Sequence, residues 1–225
     1  MKGSSVNVKM PEIVELSLDD VITRGAPIIA QARTNLAALL KSSEHTGAYW
    51  HPTGFIVIPL QDFEGLGLLR LHIWPETTRR KRAGNPETHA HCFHLTSFVL
   101  AGEYLEHQFD AHVSDDDPKA LMGYSVVPPN GDGKDRIEPD GHRYRLTRKR
   151  TETTTAGQFH HLAAGIHHLT DIAPEQTCAT LALLSRPQPG RADHLIGPEE
   201  HGGQSALRER VDDGTLTKSL LSVGI

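Results

Sequence analysis

Two histidines, His89 and His91, stand two residues apart in the run Thr88–Gly102, THAHCFHLTSFVLAG. The run is rich in Phe, Leu, Val and Thr, the composition of a strand. Residues two apart on a strand share a face, so both imidazoles would leave the same side. Neutral imidazole is the commonest metal-ligating side chain. Two ligands do not complete a site, so the chain must bring a third from elsewhere. Cys92 alternates with the pair and is expected to face away, and His94, out of phase with it, is expected on the outer face. A second histidine-dense stretch, Gly157–Ile172, reads GQFHHLAAGIHHLTDI and offers His160, His161, His167 and His168. Neighbours on a strand face opposite ways, so one of each pair would look inward.

The elements that must position these side chains are short β-rich runs beginning near Trp50. They are Gly54–Leu60, Leu66–Trp74, His89–Leu100, Glu103–Asp110, Gly123–Val127, Arg143–Arg150, Gln158–Leu162 and Thr177–Leu184, with Gly, Pro, Asn and Asp between most of them. Many short strands with turn signals and no helices between them indicate an antiparallel sandwich or barrel, an all-β fold. Within Leu68–Trp74, Leu69, Leu71 and Ile73 face one way, and Arg70, His72 and Trp74 the other. That second face is either solvated or turned into a pocket. Ser114–Pro118 and Pro128–Gly141 are acidic and rich in Gly and Pro, and read as loop or insertion.

Ahead of the strands, residues 1–15 form a polar lead. Leu18–Leu40 has helical periodicity, with Ser17 as cap, Asp19 and Asp20 in the first turn, and Pro27 dividing two pieces or starting the second. This arm is expected to pack on the outside of the domain or on a second subunit. After Pro187 the chain is polar, with a short helix expected at Gln204–Val211. The divisions are residues 1–48 (helical arm), 49–187 (β domain) and 188–225 (C-terminal extension).

Composition excludes some classes. The 225 residues carry a formal net charge of −5, which makes no electrostatic case for nucleic acid. The basic run Arg79–Arg82 is short and reads as a solvated loop. Two cysteines, Cys92 and Cys178, form no CxxC pair and no disulfide framework, as in a reducing cytosol. No apolar stretch has signal-peptide character, and none reaches the roughly 18–20 residues that span a bilayer. The expectation is a soluble, cytoplasmic protein with no membrane partner.

With both histidine stretches in view, the sequence resembles the cupin superfamily over roughly residues 50–187. The first cupin motif has the form G-x5-H-x-H-x3/4-E-x6-G. His89, His91 and Gly102 match it, with Gly84 one residue late for the first glycine. The second has the form G-x5-P-x-G-x2-H-x3-N, matched by Gly157, Gly165 and His168. Ala163 replaces its proline and Ile172 its asparagine. The resemblance implies a double-stranded β-helix (jelly-roll) barrel, with an N-terminal helical arm and a short C-terminal helix outside it. It implies one divalent metal ion on His89, His91 and His168, with His167 the rival third ligand. The motif-one glutamate is absent: Leu95 or Thr96 stands in its place.

Three neutral ligands leave the metal's +2 charge uncompensated and favour an anionic or chelating substrate. The pattern is similar to the three-histidine thiol dioxygenases and the diketone-cleaving dioxygenase, which use Fe(II) and O2. Once a barrel is assumed, Arg70 and His72 become pocket candidates, Arg70 for a substrate carboxylate or phosphate. Tyr104 and Gln158 are further substrate-binding candidates, and His72 and His161 the candidate catalytic bases. The first expectation is therefore an Fe(II) oxygenase acting on a small polar or anionic metabolite. The second is a redox-neutral isomerase, epimerase or lyase using Zn, Mn or Ni. The third is a small-molecule-binding barrel without catalysis. Cupins are commonly dimers, and the apolar face of the arm implies a homodimer.

Overall fold

The structure is a computed structural model and describes residues 15–43, 47–76, 78–81, 86–127, 134–198 and 204–225. Gly84, Arg82 and the polar lead up to residue 14 lie outside the described residues, as do 128–133 of the expected acidic loop.

The chain enters as α1 (Leu18–Thr34) and α2 (Leu36–Ser43). Ser17 Oγ accepts from Asp20 N, and Asp20 reaches back to Ser17 N, closing a capping box. Pro27 neither divides nor starts a helix: it lies inside α1. The break comes at Asn35, whose N–H turns back to Gln31 O and Ala32 O.

The strands that follow are β1 (Tyr49–Trp50), β2 (Thr53–Gly54), β3 (Ile56–Phe63), β4 (Gly67–Trp74), β5 (Arg80–Lys81), β6 (Thr88–Ala90), β7 (Leu95–Ala101) and β8 (Glu103–Val113). Then come β9 (Leu121–Val127), β10 (Lys134–Thr155), β11 (Phe159–Leu162), β12 (His167–Asp171), β13 (Cys178–Ser185), β14 (His194–Gly197) and β15 (Gln204–Leu207). The last element is α3 (Asp213–Ser222).

One sheet has the order β1-β3-β4-β13-β7-β11, the other β15-β10-β8-β12-β6-β14-β9. Inside them the quartets β4-β13-β7-β11 and β6-β12-β8-β10 face each other, and the chain passes from one to the other between β4 and β6, β6 and β7, β7 and β8, and again on through β13. All these pairings are antiparallel. This is a jelly roll, the all-β architecture that the resemblance implies. β10 also pairs with β9, so the second sheet curls back on itself over a small core of Tyr124, Ile137 and Leu195.

Three further expectations are corrected. The run His89–Leu100 is not one strand. β6 ends at Ala90 in the second sheet, and β7 begins at Leu95 in the first. The crossing is held by outside donors: Gly165 N gives to His91 O, Gln188 N to Cys92 O and Ser185 N to His94 O. Residues 134–141 are not loop, because β10 pairs there with β15 and β9. Gln204–Leu207 is a strand rather than a helix. The C-terminal helix starts after Asp212, which caps it by accepting from Thr215 N. Strand β12 had no counterpart among the expected runs. Residues 194–197 and 204–207, within the C-terminal extension, supply strands β14 and β15 to the second sheet.

The main apolar core lies outside the sandwich interior. Leu69, Leu71 and Ile73 of β4, with Leu181 and Leu183 of β13, are fully buried against Val21 and Ile29 of α1. Gly25 lets α1 approach: a Cβ there would sit 2.7 Å from a Leu183 methyl. Burying large aliphatic side chains contributes about 1.5–3 kcal/mol each, so the helices stabilise the outer face of the first sheet. Its inner face is left free to carry polar groups.

Candidate metal centre

Alternation on β4 sends Arg70, His72 and Trp74 between the sheets while their apolar neighbours pack under the helices. Across the gap, His89 on β6 and His168 on β12 are direct register partners. His91 follows one residue past the end of β6. The three rings converge, with centroids 4.3 Å (His89–His168), 4.7 Å (His89–His91) and 5.1 Å (His91–His168) apart. One nitrogen from each lies within 4.8 Å of the others.

The hydrogen-bonding of these rings fits a metal ion. His89 Nδ1–H donates to Glu87 O at 2.7 Å and His168 Nδ1–H to Ile166 O at 3.2 Å. Each bond fixes the tautomer that leaves Nε2 as a bare donor, the usual outer support of a metal-bound histidine. His91 Nδ1 lies 3.9 Å from Asp193 Oδ1. Burial holds the imidazoles neutral. His168 is pushed down to about 3 by burial, then by His89. His91 lies well below the usual imidazole range through burial and the neighbouring His89 and His168, and His89 is lowered by burial. Neutral imidazole is the form that ligates.

The cluster opens into a cavity of about 400 Å³. Arg70 lines it with no hydrogen-bond or ion-pair partner among the described residues, and its Nε is buried. His72 lines it too. Its buried Nε2 has no hydrogen-bond partner among the described residues, and burial, then Arg70, pushes the ring to about 3. Tyr104 lines the cavity, and burial pushes its phenol up. An aromatic wall completes it: Phe55 packs 4.9 Å from His72 and 4.5 Å from Trp74, and stacks on His51 at 4.2 Å.

Other sequence candidates stand elsewhere. His161 faces away from the cavity and meets Thr96 Oγ1 at 3.1 Å, because its neighbour His160 takes the inward position on β11. Gln158 is an exposed turn residue whose side chain accepts from Thr155 N. His167 points to the outer face, where its Nε2–H reaches His194 Nδ1 at 2.8 Å. His194 Nε2–H in turn donates to Asp140 at 2.8 Å. His94 Nδ1 accepts from Ala164 N at 3.0 Å, away from the cluster. Of the basic run, Arg79 donates to the carbonyls of Ile172, Ala173 and Gln176, while Arg80 pairs with Glu209 and Lys81 with Glu87.

Glu106 is a cavity residue that no motif spacing marks. Leu95, in the place of the absent motif-one glutamate, lines the cavity. A carboxylate comes instead from β8, where Glu106 shares the inward parity of Tyr104 and Gln108. It lies 3.0 Å from His160 Nε2. That parity was readable once Tyr104 was a candidate. Asp193 and His51 carried no comparable signal.

No protein-family model matches the chain, and no curated protein matches it in sequence. Solved structures give distant likenesses. One is hydroquinone 1,2-dioxygenase from Sphingomonas sp. TTNP3 with 4-hydroxybenzoate bound, 10% identical with a TM-score of 0.33. That match covers 58% of this chain and 65% of the dioxygenase chain, just under two thirds of its length. Another is a cupin-like protein from Thermotoga maritima, 12% identical with a TM-score of 0.31, over 77% of this chain and 92% of that one. The jelly roll and the three-histidine cluster stand on this chain's own geometry. No helix among the described residues is long and apolar enough to cross a membrane.

Proposed function

We propose that the protein is a mononuclear metal enzyme, an Fe(II)-dependent oxygenase acting on a small anionic metabolite. The observation that carries this reading is the convergence of three neutral imidazoles on a cavity whose wall holds an unpaired guanidinium. His89, His91 and His168 would hold the ion. When bound, it supplies Lewis acidity and, as iron, access to O2 chemistry. Arg70 binds the substrate's carboxylate or phosphate and so orients the molecule. Phe55 and Trp74 pack against its body and exclude water.

The Glu106–His160 contact favours a second reading, a redox-neutral isomerase or lyase on Zn, Mn or Ni, because such reactions need a group that moves a proton. The test is elemental analysis of untagged protein, wild type and His91→Ala, followed by O2-uptake assays with small acids and thiols. Stoichiometric iron lost in the variant, with substrate-dependent O2 consumption, supports the oxygenase. Zinc, manganese or nickel without O2 uptake supports the second reading. A wild type that holds no metal after reconstitution sinks both and leaves a ligand-binding barrel. We also propose a homodimer, which a monomer mass in light scattering at micromolar concentration would rule out.

A further inference from the structure

Glu106 and His160 approach from opposite sheets, β8 and β11, and meet in the cavity wall. Both side chains are 3% exposed, and His160 Nε2 lies 3.0 Å from Glu106 Oε1. Gln108 Nε2 donates to the same oxygen at 2.8 Å and holds the carboxylate in place. The Tyr104 ring meets His160 edge-on, with centroids 5.7 Å apart. Both ring nitrogens of His160 are buried and neither meets hydrogen-bond geometry with any described residue, so Nε2 stands beside the carboxylate as a close ion-pair contact. A buried carboxylate–imidazole pair adds little net stability, since desolvation offsets the attraction. Glu106 is nonetheless charged. Burial raises its carboxyl, but His160, the field of His168 and the Gln108 amide outweigh it, and the net position is below the usual carboxylate range.

We infer that Glu106 and His160 form a proton-accepting pair, in which His160 Nδ1 takes the proton that a protic ligand gives up on binding and Glu106 balances the charge. This rests on the metal-centre reading only for where the ligand sits. The carboxylate beside Nε2 favours the tautomer with its proton on that nitrogen, which leaves Nδ1, in the cavity wall, as the acceptor. In the step, the ligand's O–H, N–H or S–H bond breaks and its electron pair stays on the heteroatom. A new N–H bond forms from the Nδ1 lone pair, and the Nε2 proton stays beside Glu106. No oxidant or reductant is needed. The other titratable groups that interact with the pair include His168 from β12, His89 from β6, Tyr104 from β8 and His161 on β11 itself. The ligand class is a small chelator that arrives protonated and binds as its anion.

Two measurements test this on variants that keep the wild-type circular dichroism and melting behaviour. The first is ¹⁵N-histidine NMR of the metal-free protein at pH 8, with His160 assigned through His160→Gln. A bare Nδ1 with the proton on Nε2 is expected in the wild type, and a changed tautomer balance in Glu106→Gln. A protonated Nδ1 in the wild type overturns the proposal, whatever the metal does. The second is calorimetry of benzohydroxamic acid, which loses its N–OH proton on chelation, binding to zinc-loaded protein in buffers of different ionisation enthalpy. His160→Gln and Glu106→Gln should each release about one more proton per bound probe than the wild type. Equal proton counts in all three, with zinc content intact, also overturn the pair. A wild type that holds no zinc overturns the metal-centre reading instead and leaves the NMR result to decide the pair.

Discussion

Arg70 gives the sharpest test of whether the cavity is built for an anion. Its guanidinium lines the cavity with a buried Nε and no hydrogen-bond or ion-pair partner among the described residues. Burial lowers its pKa, as does the like charge of Arg208, while Tyr49 and Asp193 act the other way. A buried donor left unsatisfied costs about 1–3 kcal/mol. Arg70→Met keeps most of the aliphatic stem and removes that cost. The ligand-free, metal-free variant should therefore be more stable by about 2 kcal/mol, or about 4–8 °C in melting temperature for a chain of this size. Calorimetric melts with and without benzoate read both halves of the argument. Benzoate at about a hundred times its Kd should stabilise the wild type by about 2.7 kcal/mol and leave Arg70→Met unmoved, reversing the order of the two proteins. A variant that melts below the wild type without ligand, and responds to benzoate equally, would refute the reasoning. It would mean that the fold itself satisfies the guanidinium.

Other outcomes follow from the same geometry. His168→Gln should lower metal affinity at least about tenfold while His167→Gln leaves it unchanged, since only His168 faces the cluster; metal titration decides, and a larger loss in His167→Gln would reassign the third ligand. His72 is held neutral down to about 3. Between that value and the unfolded value near 6.5, the unfolded chain binds the extra proton, so stability rises with pH across this window and is lost on acidification. Removing the group in His72→Gln should flatten urea-derived stability against pH there, by up to about 1.4 kcal/mol per unit. Gly102 turns β7 into β8 at φ +73°, where a Cβ would stand 2.1 Å from Thr177 O. Gly102→Ala should cost at least about 2 kcal/mol in thermal melts.

How far the sequence could be read depended on whether a side chain's surroundings follow from its own strand. Alternation on Leu68–Trp74 separates core from cavity residues correctly, but it cannot say which face is solvated. That depends on α1 covering Leu69, Leu71 and Ile73 from outside. His89, His91 and His168 are legible because motif spacing survives a change of sheet. The change itself, between Ala90 and Leu95, is not legible: both halves are equally β-prone, and the crossing is held by donors from residues 165, 185 and 188. Parity within the pair His160 and His161 cannot tell inside from outside without a neighbouring strand, so the candidate base His161 and the inward residue His160 are not separable from the sequence. The register of β11 against β7 sets His160 opposite Ser97, which also lines the cavity. The strand at 134–141 was hidden because Gly and Pro signal turns locally, while pairing with β9 and β15 overrides them.

Strand β6 carries His89 and leads into His91, yet both strands beside it, β12 and β14, come from much later in the chain. Such pairing has high contact order and forms slowly. During synthesis from the N-terminus, the first two imidazoles emerge long before His168 and before any neighbour that could hold their strand flat. A nascent chain would thus present an incomplete, weakly binding pair of ligands, and the full set would close only when the sheet does. Metal choice would then be made by a nearly finished fold, not by a growing chain exposed to every ion around it.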